Sequence, residues 1–180
     1  MPFGVVVMKL KTSLFLIISF TLGFFLGLAF KFAYESTSPR PYSWPEGKPP
    51  IIVNCYGKDF SKLQMTRAVH YWTIRGERIG FYEHNPPDSV CQANWLEGFI
   101  ILKKVDSFKK SSTLASTKRY TSFDKLKGAV IFYKPGSQNL SLINEHELGH
   151  ALGFAHVEIE GHIMHPIYHK MGRNFWIPAN

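Results

Sequence analysis

The chain is poor in cysteine and in acidic residues, and no segment repeats. Its 2 cysteines, Cys55 and Cys91, form no C-x-x-C pair, which excludes cysteine-ligated zinc ribbons and dithiol redox motifs. In an exported protein such a pair either bridges or stays as two thiols, depending on whether the Cα atoms lie within reach, and the sequence leaves both open. No G-x-y or heptad period is present, which excludes collagen and coiled coil, while 45% hydrophobic and 15% aromatic content is too rich for a disordered chain. At 180 residues there is room for one domain and a short appendage. Acids number 13 against 21 Lys and Arg, a net +8, and the excess is local. Residues 103–134 hold nine Lys/Arg against Asp106 and Asp124, nine minus two or +7. No aromatic interleaving or nucleic-acid fold signature accompanies these charges, so no nucleic-acid partner is expected. They read first as a solvated loop and strand face and second as a site for anionic partners.

Long apolar runs are also scarce, with one exception. Residues 12–30 are uncharged between Lys11 and Lys31, a helix of about 28 Å against a bilayer core of about 30 Å. Lys9 and Lys11 precede the run without an acid, which keeps the N-terminus cytoplasmic and sends the remainder outward. Gly27 and Ala29 form a small-x-small cleavage pattern, yet the run exceeds the usual signal-peptide core. Residues 1–34 are therefore expected to be a transmembrane anchor or a signal peptide, with the rest membrane-anchored outside the cytoplasm or secreted. Residues 35–50 carry five prolines and no apolar period, an extended linker. The folded domain is expected over 51–180.

Within that domain, residues 51–56 form a β-rich run ended by Gly57. Ser61 offers an N-cap, and Leu63, Met65, Ala68, Val69 and Trp72 fall near helical spacing, predicting a helix over 61–75. Strands are expected at 80–84, 98–102 and 129–133, with a partly polar edge strand at 113–121. From about Ser141 the pattern turns helical and stops at Gly153, a residue type suited to a helix C-terminus.

That last helix holds His146-Glu147-Leu148-Gly149-His150, followed by Ala151-Leu152-Gly153-Phe154-Ala155-His156. Histidines four apart lie one turn apart on one helix face, so their imidazoles can converge on one ion. Gly153 can adopt the left-handed conformation that turns the chain back and brings His156 in from the side. Three neutral nitrogens at ~2.0–2.1 Å leave a fourth tetrahedral position for water, the arrangement of a catalytic Zn²⁺ site. Glu147 can reach that water without binding the ion and is placed as general base. At this chain's own residue frequencies the five-residue motif arises by chance in roughly 2% of sequences and the eleven-residue form in roughly 0.006%, so the long form carries the argument.

Residues 146–156 resemble the zinc signature of the metzincin metalloendopeptidases. His162-Ile163-Met164-His165-Pro166-Ile167-Tyr168 resembles their Met-turn and pocket wall, and the step from His156 to Met164 is similar to the matrixin branch. Ala68, Trp72, Leu114 and Ala115 also sit where matrixin catalytic domains have similar residues. The resemblance implies an α+β, zincin-like fold: a twisted, mixed five-stranded sheet, an active-site helix, a second backing helix and a shortened C-terminal subdomain. It implies one catalytic Zn²⁺ on His146, His150 and His156, and a zinc-dependent endopeptidase that cleaves protein or peptide substrates by a Glu-activated, zinc-bound water. The substrate would add to the edge strand as an extended segment. Met164 would form a hydrophobic floor under the ion, and Pro166, Ile167 and Tyr168 would line the pocket for the side chain after the cut.

The departures from the family pattern are as informative. Residues 103–127 supply no histidine and two aspartates, so the family's second zinc and its Ca²⁺ loops find no support. The silencing cysteine motif of a prodomain is not found in residues 1–50, which read as anchor and spacer, so no prodomain is expected. The resemblance is therefore to a minimal catalytic domain. The residues after His156 are few for a full C-terminal helix, and Phe175, Trp176 and Ile177 are expected to close the core instead. His162, His165 and His169 are not used as ligands in the family pattern and are expected to be exposed or to support the ligands. Two alternatives remain. One is a non-catalytic zinc-binding or adhesion module on the same fold, against which the intact Glu147 argues. The other is a zinc hydrolase of cell-wall peptides, whose basic segment would hold an anionic polymer.

Overall fold

The computed structural model describes residues 40–175. The segment read as anchor or signal, along with Trp176 and Ile177, lies outside the described residues. Among the described residues no helix is long and apolar enough to cross a membrane.

Five strands form one sheet. They are β1 (Ile51–Cys55), β2 (Tyr82–Glu83), β3 (Phe99–Lys104), β4 (Ala115–Ser122) and β5 (Lys125–Tyr133), in the order β2-β1-β3-β5-β4. Neighbours run parallel except β4, which is antiparallel to β5. The sequence explains this order. Apolar stretches in β1, β3 and β5 bury both faces of central parallel strands, whereas Ala-Ser-Thr-Lys-Arg-Tyr-Thr-Ser tolerates water at an edge. The expected strand over 80–84 shrinks to two residues, because Asn85-Pro86-Pro87 follows and proline has no N–H for the ladder.

On one face, Ile52, Ile100, Leu102, Ala129, Ile131 and Tyr133 meet two helices. Helix α1 (Lys62–Thr73) starts at Ser61, whose hydroxyl accepts from Gln64 N–H at 3.3 Å, and buries Met65, Ala68 and Trp72. A short helix, α2 (Asp88–Gln92), follows Pro87; with so few residues it has no readable period. The third helix, α3 (Ile143–Ala151), carries the histidine motif. Val53, Ile101 and Val130 form a smaller cluster on the other face, with Val90 and Leu96 packed on it. There α2 is tied to β1 by a Cys55–Cys91 disulfide with Cα atoms 5.2 Å apart, which closes the question the sequence left open.

The basic segment is solvated over much of its length: Lys104, Lys109, Lys110, Lys118 and Lys125 are exposed. No long helix follows α3 among the described residues, and Phe175 closes the core instead, 5.1 Å from both the Trp72 and Phe154 rings. The described part of the proline-rich stretch is irregular, as a linker would be, but it does not stand clear of the domain. Arg40 makes a two-pronged ion pair with Glu77 and donates to Leu152 O at 3.1 Å, while Trp44 Nε1 donates to Ala151 O at 3.0 Å. Both donors satisfy carbonyls left open at the end of α3. The reason is chemical: the stretch carries an arginine and a tryptophan as well as prolines.

Candidate metal centre

Helix α3 begins after Leu142, held in the left-handed region at φ 67, and its four-residue repeat puts His146 and His150 on one face. At its end Gly153 has φ +108, and the Tyr42 carbonyl occupies the place a Cβ would need. The left-handed turn and this close approach both require glycine. Beyond it the chain reverses and His156 arrives beside the other two.

His150 Nε2 lies 3.1 Å from His146 Nε2 and 3.0 Å from His156 Nε2. Nitrogens bound to one tetrahedral zinc stand ~3.3–3.4 Å apart, so the spacing is close to that of a coordinated set. Among the described residues this is the group of His, Cys, Asp and Glu side chains able to hold an ion. Two backbone carbonyls orient the rings: His146 Nδ1 donates to Ile163 O at 2.8 Å and His150 Nδ1 to Phe154 O at 2.9 Å. With hydrogen on Nδ1, the Nε2 lone pairs face inward. Burial, the main cause, lowers His146 to about 4 and His150 to about 3, and it also lowers the more exposed His156. All three rings are thus neutral near pH 7, the form that binds a metal. Three lone pairs converging at this range repel one another unless a cation sits among them, and neutral imidazoles suit zinc. The residues fit the ion.

Glu147 is 4% exposed. Its carboxylate accepts from Thr117 Oγ1 on β4 at 2.6 Å. Burial pushes it up to about 7, and the Thr117 bond opposes that rise. A cleft of about 770 Å³ opens over Glu147 and the three histidines, lined also by Thr117, Pro166, Ile167 and Tyr168. Ile167 and Tyr168 are 45% and 36% exposed, available to a ligand rather than spent in the core.

Met164 is fully buried and lies under α3: a Cβ on Gly149 would come within 2.5 Å of its Sδ and 2.5 Å of Trp72 Cζ2. The glycine inside the motif thus lets the turn at Met164 and α1 press on the helix that carries His146 and His150. His162 and His165, expected to be exposed or to support the ligands, are only 1% and 6% exposed. Their Nδ1 atoms accept from Met164 N–H and Ile167 N–H, each at 3.0 Å, so they shape the turn whose Ile163 carbonyl holds His146. His169 is exposed and lines the cleft.

Sequence reasoning missed Thr117 and the carbonyls of Ile163 and Phe154. Carbonyls are common to every residue and carry no sequence signal. Thr117 had one available: strand alternation puts it two residues from Ala115, on the same side of an edge strand expected to flank the site.

No curated protein matches the chain. The family model described as Matrixin, Peptidase_M10, matches residues 66–180, a span that takes in α1 from Thr66 onward, the whole sheet beyond β1, the three histidines and residues 162–168. By that match this chain belongs to the matrixin family, which is zinc-dependent.

Proposed function

We propose that the chain is a zinc endopeptidase working outside the cytoplasm, tethered by residues 1–34 or released from them. The observation that carries this reading is the buried Glu147 carboxylate lining one open cleft with three neutral imidazoles. The free edge of β4 borders the same cleft, and an extended peptide can add to it as a further strand. His146, His150 and His156 would hold a zinc ion, which would supply Lewis acidity toward the peptide carbonyl and lower the pKa of the attacking water. Glu147 takes the proton of that water and passes it to the leaving amine. Pro166, Ile167 and Tyr168 receive the side chain after the cut, with Met164 packed beneath the ligand helix. The disulfide supports an oxidising location, since such bonds persist outside the cytoplasm.

The deciding experiment pairs Glu147→Gln with removal of metal. The variant is expected to bind zinc like the parent and to lose cleavage of a degenerate peptide library. 1,10-Phenanthroline should abolish parental cleavage and added Zn²⁺ restore it. A fully active Glu147→Gln, or cleavage that survives without metal, removes the reading. A parent that binds zinc and cleaves nothing in the library favours a binding module instead. Intact-mass analysis of the mature chain separates tether from release, a start near Phe30 refuting the anchor.

A further inference from the structure

Side chains of β4 alternate across the sheet edge. Thr117 and Arg119 turn toward α3 and bond Glu147 and Phe154 O, while Tyr120 turns away and stacks on Trp95 at 4.7 Å. Thr117 Oγ1 lies 2.6 Å from Glu147 Oε2 and 3.1 Å from Glu147 O. A hydroxyl has one hydrogen to give, and 2.6 Å falls within the ~2.5–2.7 Å range of an O–H donor to a carboxylate. The hydrogen therefore goes to Oε2. Among the described residues no other group hydrogen-bonds this carboxylate, which is 4% exposed. Threonine is stiff at χ1, and its strand is locked to β5 in continuous register from Ala115 to Tyr120. The donor is thus a fixed point on the sheet, while a glutamate side chain alone has several rotamers to sample.

We propose that Thr117 is the positioning residue for Glu147: its hydroxyl anchors Oε2 to the edge strand, so that Oε1 alone is presented to the reacting water. This rests on Glu147 being the general base. The same hydroxyl couples catalysis to the strand on which substrate adds, because a peptide paired with β4 and the carboxylate that serves its cleavage are both referred to one backbone. Misplacing a catalytic group by about 1 Å can cost on the order of 100-fold, so the anchor acts on turnover rather than on binding.

The test uses the zinc-loaded protein with Thr117→Val, Thr117→Ser and Glu147→Gln beside the parent. Zinc affinity is read by chelator competition, Tm by circular dichroism, and kcat and KM on a peptide the parent cleaves. Thr117→Val is expected to keep parental zinc affinity and KM and to lose kcat roughly 10–100-fold. Thr117→Ser, which keeps the hydroxyl, should recover most of that loss. If Thr117→Val fails to fold, Thr117→Ala must show the same loss in kcat alone. A crystal structure of the valine variant should show the Glu147 carboxylate displaced. Parental kcat in Thr117→Val beside an inactive Glu147→Gln overturns the positioning role and leaves the endopeptidase reading intact. A serine variant as slow as the valine one, or a loss of zinc affinity in both, also overturns it. An active Glu147→Gln would instead remove the general base.

Discussion

Burial moves the protons at this centre in opposite directions, and the two directions compete. Metal-free His146 and His150 titrate at about 4 and about 3, against 6.5 for an ordinary histidine. As pH falls below 6.5 the unfolded chain therefore takes up protons first, which destabilises the fold down to about pH 4. Glu147 works the other way: it titrates at about 7 in the fold against 4.5 ordinarily, so the fold takes its proton first and gains stability as pH drops from 7 to 4.5. The two histidine shifts together exceed the Glu147 shift, and burial also lowers His156, which adds to them, and raises Glu145, which opposes them. The Tm of the metal-free protein is thus expected to fall between about pH 6.5 and about pH 4, and saturating zinc to offset the fall where it still competes with protons. A Tm that stays level or rises on acidification, measured calorimetrically after chelation, contradicts the burial of the pair.

At the scale of elements, the candidate metal site is a joint between α1, α3 and the turn at Met164. Trp72 Nε1 donates to Glu145 O at 2.7 Å, and its ring stacks on Phe154 at 5.0 Å. Gly149 is where the three pieces touch. Gly149→Ala gains helix propensity of up to about 1 kcal/mol but drives a methyl into Met164 and Trp72, and overpacking of this kind costs ~1–3 kcal/mol. The variant is expected to be net destabilised in urea titration and to bind zinc more weakly, because the displaced turn carries the carbonyl that orients His146. Unchanged stability with unchanged zinc affinity would show that the contact relaxes freely. The elements themselves were largely legible from sequence. Met65, Ala68 and Trp72 announced α1, and the polar run in β4 announced an edge. Helix α2 was not legible because it buries no residue of its own, nor was the seating of residues 40–50, whose partners, Glu77 and the carbonyls of Ala151 and Leu152, lie far along the chain.

For the whole molecule, the disulfide is the cross-link that ties the 84–98 stretch to the sheet. It closes a span of 36 residues, and a bridge of that span contributes about 3–4 kcal/mol, chiefly by restricting the unfolded chain. Replacing both cysteines by serine is expected to lower Tm while leaving kcat at low temperature near the parental value, since neither cysteine lines the cleft. A double variant as stable as the parent would show that apolar packing of Val90 and Leu96 suffices. The +7 stretch divides at this scale too. Most of its lysines face water, and among the basic residues the exposed Lys110 and the half-buried Arg119 also line the cleft.

The sequence by itself determined the candidate ligand set, the glutamate beside it and the order of the main elements, because each rests on local spacing: four residues for one helical turn, a glycine where the chain must reverse, alternation along a strand. Tertiary structure decided the rest. It alone brought Cys55 to Cys91, Thr117 to Glu147, Ile163 O to His146 and Tyr42 to Gly153. These contacts join residues far apart in the chain, whose meeting depends on strand order and helix packing rather than on any pattern within one segment.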